Sequence, residues 1–193
     1  MLIHDVLRSS TANGPGDRFV VWVQGCSRRC PGCFNPVAQP FPGTGYDITI
    51  PQIMSGIPDA VEGITISGGE PFEQPEELLR LVRAARDRKL SVLIYTGYTY
   101  EELMNSFSGM KRELMHDVLK HTDYLIDGPY VREIPSRNKW AGSGNQRFLL
   151  LSEGIVVADL TEKPDNWIIG ELIINKKGTV TTTGILDGIM LQL

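Results

Sequence analysis

The stretch Gly25-Cys26-Ser27-Arg28-Arg29-Cys30-Pro31-Gly32-Cys33-Phe34-Asn35 contains all three cysteines of this 193-residue chain, spaced C-x3-C-x2-C. Clustered thiolates converge on a soft metal centre, and a four-iron, four-sulfur cluster normally takes one cysteine per iron. Three ligands leave one iron open, and an open coordination position is typical of catalytic rather than structural metal sites. The stretch therefore predicts a [4Fe-4S] cluster held by Cys26, Cys30 and Cys33.

Other uses of the three cysteines are less well supported. A disulfide with one free thiol is disfavoured because such close spacing strains a bridge and the chain shows no secretory signal. A zinc site needs a fourth ligand, and His4, His116 and His121 have no knuckle-like spacing to the cysteines. Unligated core cysteines do not suit a loop of Gly, Pro and Arg. An iron–sulfur or zinc binding module without further chemistry stays open as an alternative.

Composition places the chain among single-domain globular proteins, with 41% hydrophobic and 22% charged residues. The net charge of -4 argues against a general affinity for nucleic acid. No apolar run reaches the length of a membrane span, and residues 1–5 lack the pattern of a secretory signal. We expect a cytoplasmic protein without a nucleic-acid or membrane partner.

Hydrophobic patterning predicts strands that alternate with helices. Continuous apolar or β-branched runs predict strands at 2–7, 19–23, 63–66, 90–95 and 124–127. Apolar residues at helical spacing and capping signals predict helices at 50–56, 74–89 and 99–120, the last interrupted near 106–109. This alternation indicates an α/β fold with a mostly parallel sheet, whose strands gather binding groups at their carboxyl ends.

A second motif, Ser67-Gly68-Gly69-Glu70-Pro71, follows the predicted strand at 63–66. Two adjacent glycines expose backbone N–H and C=O groups without an obstructing side chain, so a small polar ligand has room there. Thr96 and Asp127 follow the next two strands and are expected at the same rim. Each is also explained as a turn residue or a helix cap.

The two motifs together resemble those of the radical S-adenosylmethionine (SAM) enzymes. In that superfamily a Gly-Gly-Glu stretch contacts the methionyl amino group of SAM, and Gly68, Gly69 and Glu70 match it here. The resemblance implies a [4Fe-4S] cluster and SAM as cofactors, bound in a partial (β/α) barrel. Thr96 and Asp127 are then candidates to contact the ribose or adenine of SAM, or a substrate backbone.

Further stretches resemble one family within that superfamily, the activating enzymes of anaerobic ribonucleotide reductase. They are 30–35, 95–99, 127–130 and 140–147, the last of which ends in Asn-Gln-Arg. The resemblance implies reductive cleavage of SAM to methionine and a 5′-deoxyadenosyl radical, which removes hydrogen from a glycine of the partner reductase. The electron would come from flavodoxin or a similar donor. A different glycyl-radical enzyme, a peptide or a small molecule remains an alternative substrate.

The chain departs from that family by continuing for more than forty residues after Asn-Gln-Arg. We divide it into a core domain at 1–150 and an extension at 151–193, packed on the core. Patterning predicts a β-hairpin in the extension, with strands at 168–174 and 179–183 joined through Asn175-Lys176-Lys177-Gly178. The hairpin either covers a sheet edge or recognises a different partner.

Overall fold

The computed structural model describes residues 1–136, 138–162, 170–174 and 179–184. Its strands are β1 Leu2–Ser10, β2 Arg18–Val23, β3 Tyr46–Asp47, β4 Gly63–Gly68, β5 Ser91–Tyr95, β6 Tyr124–Asp127, β7 Arg147–Ser152, β8 Ile155–Asp159, β9 Gly170–Ile174 and β10 Val180–Gly184. Its helices are α1 Ile50–Gly56, α2 Pro75–Asp87, α3 Tyr100–Asn105 and α4 Gly109–Lys120. The interruption predicted between the last two helices is confirmed.

The main sheet has eight strands in the order β3-β1-β2-β4-β5-β6-β7-β8. Its central strands β2, β4, β5 and β6 are parallel, whereas β1, β3, β7 and β8 pair antiparallel. The predicted α/β class is therefore confirmed, but the sheet is mixed. The edge strands β3 and β8 do not pair with each other in the described chain, so the sheet is open. The barrel curvature implied by the resemblance stays a prediction.

Short connections explain two of the antiparallel pairs, β1 with β2 and β7 with β8. A parallel neighbour needs a crossover of about a dozen residues or more, and the loop at 11–17 between β1 and β2 is too short for one. Between β7 and β8 the chain turns at Glu153 and Gly154, which have φ of 51° and 78°. Positive φ at both central residues is the geometry of a tight hairpin turn. β7 and β8 thus extend the main sheet past residue 150.

The helices cover one face of the sheet and form the larger core with it. Alternate strand residues such as Val21, Ile66 and Ile94 pack there against buried residues of the helices, among them Leu81 of α2 and Met115 of α4. Burying this apolar surface is the main stabilising contribution to the fold. None of the described helices has the length and hydrophobicity to cross a membrane.

The opposite face carries a smaller apolar cluster and a buried charge. Leu93, Ile126, Ala141 and Phe148 form the cluster. Beside Leu93, the side chain of Arg18 is 0% exposed and donates five hydrogen bonds, to Thr65 Oγ1, Ser91 Oγ and the carbonyls of Pro15, Ile64 and Ser91. Burial lowers the pKa of Arg18 to about 10, so the guanidinium remains charged at neutral pH.

β9 and β10 pair antiparallel and form a separate two-stranded sheet, in which Ile174 pairs with Val180. The predicted connection at 175–178 and the predicted strand residues 168–169 lie outside the described residues. Because the two sheets share no ladder, β9 and β10 do not extend an edge of the main sheet.

Replacing the buried guanidinium of Arg18 tests its structural role. Arg18→Met keeps much of the volume but leaves buried carbonyl oxygens without donors, so we expect the free energy of unfolding to fall by about 3 kcal/mol or more. The measurement is urea unfolding followed by circular dichroism. Arg80→Met, at an exposed position of α2, is the matched control and should change stability by less than about 0.5 kcal/mol. Equal stability of the two variants would contradict this role.

Candidate metal and cofactor site

The cysteine loop and the Gly-Gly-Glu motif lie side by side because the strands that precede them are paired. β2 and β4 are parallel neighbours with Val23 opposite Gly68. Beyond the strands the pairing continues: Gly69 N donates to Val23 O at 2.7 Å, and Glu70 N donates to Gly25 O at 2.8 Å. The cysteine loop and the Gly-Gly-Glu motif, although far apart in sequence, are thus hydrogen-bonded to each other at the carboxyl ends of β2 and β4.

Both glycines are required by this close approach. Gly68 has φ of +106°, and a Cβ there would lie 2.4 Å from Val23 N. A Cβ on Gly69 would lie 2.2 Å from Gly25 O. Since glycine alone tolerates these contacts, the backbone at 68–69 can lie directly against the residues that lead into the cysteine loop.

Backbone hydrogen bonds fix the start of the cysteine loop. Gly25 N donates to Ala38 O at 2.7 Å and Cys26 N donates to Gln39 O at 2.9 Å. Cys26 is buried, and burial raises the pKa of its thiol, while the backbone N–H groups of Arg28 and Arg29 oppose that rise. Such N–H groups near sulfur tune an iron–sulfur cluster once the cysteine is a ligand.

The other two cysteines are more accessible. Cys30 and Cys33 are partly exposed and free, and Asn35 N donates to Cys33 Sγ at 3.4 Å. Among the described residues, no three His, Cys, Asp or Glu side chains are close enough to hold a single metal ion. A four-iron cluster does not need that proximity because each cysteine binds a different iron.

The carboxylate of Glu70 joins the ends of β4 and β5. It is 1% exposed, and its Oε1 accepts from Phe72 N at 3.1 Å and from Thr96 Oγ1 at 2.8 Å. Its Oε2 accepts from Gly97 N at 2.7 Å. Burial raises the pKa of Glu70 to about 7 even though these hydrogen bonds oppose the rise. Both oxygens therefore already have protein donors, and a contact of Glu70 with SAM stays a prediction.

Arg28 is a site residue that the sequence analysis missed. Its guanidinium donates to Gly97 O, lies 3.5 Å from the Glu102 carboxylate and stacks 4.5 Å from the ring centre of Tyr98. Arg28 therefore connects the cysteine loop to the segment after β5. Its only sequence signal is its position between two cysteines.

One cavity of about 420 Å³ unites most of the predicted site residues. This volume is within the usual range for a small-molecule site, roughly 300–1,000 Å³. Seven of the eight predicted residues line it: Cys26, Cys30, Cys33, Gly68, Gly69, Glu70 and Thr96. The lining also includes residues that were not predicted as ligands, among them Arg28, Tyr95, Trp140, Gln146, Thr182 and Thr183.

Asp127 is the predicted residue that does not line the cavity, although Gly128 beside it does. Its carboxylate accepts from Tyr100 N at 2.7 Å and from the guanidinium of Arg147. Arg147 also pairs with Glu101, and these hydrogen bonds raise the pKa of the guanidinium. The contacts give Asp127 a structural role in holding β6, β7 and the start of α3 together.

The segment at 140–147 closes one side of the cavity. Gln146 Oε1 accepts from Gly142 N at 2.8 Å, and its Nε2 donates to Gly128 O at 2.9 Å. A Cβ on Gly142 would lie 2.8 Å from the ring of Phe34, so this segment packs against the cysteine loop. Trp140 also lines the cavity, and its Nε1 is buried without a hydrogen-bond partner in the described part of the chain.

Comparison with known proteins agrees with this geometry. A family model described as a 4Fe-4S single cluster domain matches residues 12–149. The anaerobic ribonucleoside-triphosphate reductase-activating protein of Enterobacteria phage T4 is 31% identical over 150 residues, which cover 74% of this chain and 90% of the phage protein. Its counterpart from Haemophilus influenzae is 32% identical, covering 69% of this chain and 88% of that protein. The pyruvate formate-lyase-activating enzyme of Clostridium pasteurianum is 30% identical, covering 64% of this chain and 50% of that enzyme.

A methyl group at Gly69 should disturb the cysteine loop. Because the added Cβ would meet the backbone of Gly25, next to Cys26, we expect Gly69→Ala to bind less than half the iron of the wild type after anaerobic reconstitution. Iron per chain is measured by a colorimetric assay. Gly56→Ala is the control, because its Cβ has no atom nearer than 3.9 Å. Full iron content in Gly69→Ala would show that the two motifs are not in such close contact.

The raised pKa of Glu70 makes stability depend on pH. The carboxyl of Glu70 loses its proton near the usual pKa of 4.5 in the unfolded state, but only near pH 7 in the folded state. Protonated Glu70 therefore stabilises the folded state fully below about pH 4.5, and this contribution is lost as the pH rises through 7. Glu70→Gln removes this dependence. The loss of unfolding free energy caused by Glu70→Gln should therefore be larger at pH 5 than at pH 8, by up to roughly 3 kcal/mol.

Urea unfolding of the cluster-free protein at both pH values measures this difference. Glu113→Gln, at an exposed position of α4, is the control and should keep the pH dependence of the wild type. A Glu70→Gln effect that is the same at both pH values would contradict the raised pKa.

Proposed function

Because the chain belongs to the family of anaerobic ribonucleoside-triphosphate reductase-activating proteins, we propose that it cleaves SAM reductively at a [4Fe-4S] cluster and generates a glycyl radical on such a reductase. It is an activating enzyme of the radical SAM type, and its relatives activate glycyl-radical enzymes. We propose the identity of the partner and the use of SAM from this family membership.

The single observation that carries the proposal is the cavity shared by the three cysteines and the Gly-Gly-Glu motif. The residues present fit both cofactors. Three free thiols are available as ligands, and backbone N–H groups lie near the sulfur of Cys26. The adjoining backbone at 68–69 has no side chains, so a cofactor can approach it closely. Three thiolates leave one iron for SAM.

When bound, the cluster and SAM supply an electron and, from SAM, a 5′-deoxyadenosyl radical that takes a hydrogen atom from the partner's glycine. The protein's part is to orient the cofactors and exclude water. Gly68 and Gly69 offer backbone groups beside the cluster loop, and Glu70 holds the segment at 96–97 against them. Arg28 secures the cysteine loop to that same segment.

The surface near the cysteine loop supports a protein partner. Phe34, Val37 and Phe41 are large apolar side chains that are 49%, 57% and 52% exposed. Phe34 packs against Tyr130 with ring centres 4.7 Å apart and ring planes tilted by 48°, which places an aromatic pair at the cavity. Exposed apolar side chains grouped around a site are typical of protein interfaces. We propose that the reductase docks here, and that flavodoxin or a similar cytoplasmic protein donates the electron.

A second candidate substrate is a different glycyl-radical enzyme. The similarity to the pyruvate formate-lyase-activating enzyme favours it, since that relative is named for another partner. Both candidates use the same cofactors, so only the partner separates them.

Electron paramagnetic resonance tests the proposed function. The reconstituted, reduced protein is mixed anaerobically with SAM and the anaerobic ribonucleoside-triphosphate reductase of the same source. We expect an organic doublet on the reductase, and we expect Cys30→Ala, which lacks a cluster ligand, to give at least about 100-fold less of it. Product analysis for 5′-deoxyadenosine is run in parallel.

The outcomes separate the alternatives. If 5′-deoxyadenosine forms without a doublet, the partner is wrong and the assay is repeated with pyruvate formate-lyase. If an intact cluster gives neither product, the protein is a binding module and the proposal fails. Normal SAM cleavage by Cys30→Ala would refute the assignment of the ligands.

A further inference from the structure

The β9–β10 sheet contributes to the wall of the cavity that holds the proposed cofactor site. Thr182, Thr183 and Gly184 of β10 line that cavity together with Cys26 and Gly68. The matched family domain ends at residue 149, so this part of the wall comes from outside it.

A buried chain of hydrogen bonds holds β10 in place. Thr183 is 6% exposed, and its Oγ1 accepts from Asn13 Nδ2 at 2.8 Å. The carbonyl of Asn13 accepts from Thr65 Oγ1 at 2.7 Å. Thr65 Oγ1 in turn accepts from Arg18 Nε at 2.7 Å. Because buried polar groups that lose a partner are costly, this chain fixes β10 against the main sheet.

A charged anchor holds β9 to the same loop. The Glu171 carboxylate accepts from Ser10 Oγ at 2.6 Å, from Thr11 N at 2.8 Å and from Thr11 Oγ1 at 2.5 Å. Burial by itself would raise the pKa of Glu171, but the hydrogen bonds outweigh it and lower that pKa. The carboxylate therefore stays ionised at neutral pH, and hydrogen bonds to an ionised acceptor are the stronger kind.

The anchor point of β10 lies deeper in the sheet than the cofactor edge. Thr65 precedes Gly68 by three residues on β4, which is about 10 Å at the rise of a β-strand. The cysteines and the Gly-Gly-Glu motif occupy the carboxyl edge, whereas β10 is linked through Asn13 to Thr65, further from that edge. The lining residues Thr182 and Gly184 are small and exposed, so they leave space for a segment of backbone.

We propose that β10 is the wall of the cavity that receives the glycine-bearing segment of the partner protein, and that Thr182 is a specificity-determining residue for that segment. This inference rests on the proposed function. The extension is then part of the substrate site rather than a cover for a sheet edge.

A large side chain on β10 should block access of the partner's segment to the cavity without blocking the binding of the cofactors. In Thr182→Trp the added indole occupies the substrate side of the cavity, so we expect the yield of glycyl radical on the reductase to fall at least tenfold. The Kd for SAM, measured by equilibrium dialysis with the cluster-loaded protein, should stay within twofold of the wild type. Val180→Trp adds the same bulk to the same strand at an exposed position that does not line the cavity, and it should behave as the wild type.

Each of the following results would overturn the proposal. An unchanged radical yield in Thr182→Trp would show that the glycine-bearing segment of the partner does not lie against β10. If Thr182→Trp raises the Kd for SAM more than tenfold, β10 borders the cofactor instead of the substrate. An equal loss of radical yield in Val180→Trp shows that any bulk on β10 is harmful. If the wild type itself makes no radical on the reductase, the proposed partner fails, and the substrate role of β10 for that partner fails with it.

A measurement without any partner tests the docking itself. Glu171→Gln removes the charge that Ser10 and Thr11 bind, so backbone amides at 171–173 and 11–13 should exchange hydrogen at least threefold faster in the cluster-loaded protein. Glu162→Gln, an exposed glutamate before β9, is the matched control. Unchanged exchange in Glu171→Gln would show that this carboxylate does not hold β9 to residues 10–11, and would contradict the docking on which the proposal rests.

Discussion

Parallel pairing of β2 with β4 in a single register is the constraint on which the site depends. Val23 lies opposite Gly68, and the two hydrogen bonds beyond the strands carry this register into the cysteine loop. A slip of one residue would turn Val21 and Ile66 away from the helices and would separate Gly69 from Gly25. The core and the site are therefore specified together, because the same alignment buries the apolar face and joins the two motifs.

Buried polar and charged side chains with hydrogen-bond partners hold the remaining loops around that edge. Glu70 fixes the segment after β5, Asp127 fixes the start of α3 and the beginning of β7, and Arg18 occupies the interior beside β4. A buried polar or charged group raises the free energy of the folded state when its partners are missing. Moving any of these loops away from its buried group therefore costs free energy. The proposed radical chemistry needs such rigidity, since misplacement would expose the reactive centre to the wrong hydrogen.

The cavity has two sides of different origin. The matched family domain supplies the cysteines, the glycines and the segment at 140–147, whereas β10 comes from beyond it. The appended strands interact with the main sheet through the end of β1 and the loop that follows it, at Ser10, Thr11 and Asn13. The wall that β10 gives to the cavity is therefore an addition to the matched family domain.

The sequence by itself determined the α/β class, the central strands, the cysteine loop and its Gly-Gly-Glu neighbour, because these depend on local periodicity and on residue types with few other uses. It did not reveal the antiparallel strands β7 and β8, the bracing role of Arg28 or the place of β10. Nor could it show that Glu70 and Asp127 direct their carboxylates to protein donors, since a carboxylate at a strand end is equally suited to a ligand and to a neighbouring loop. Only the tertiary structure decided these points, because each depends on a partner distant in the chain, and residue type alone does not identify that partner.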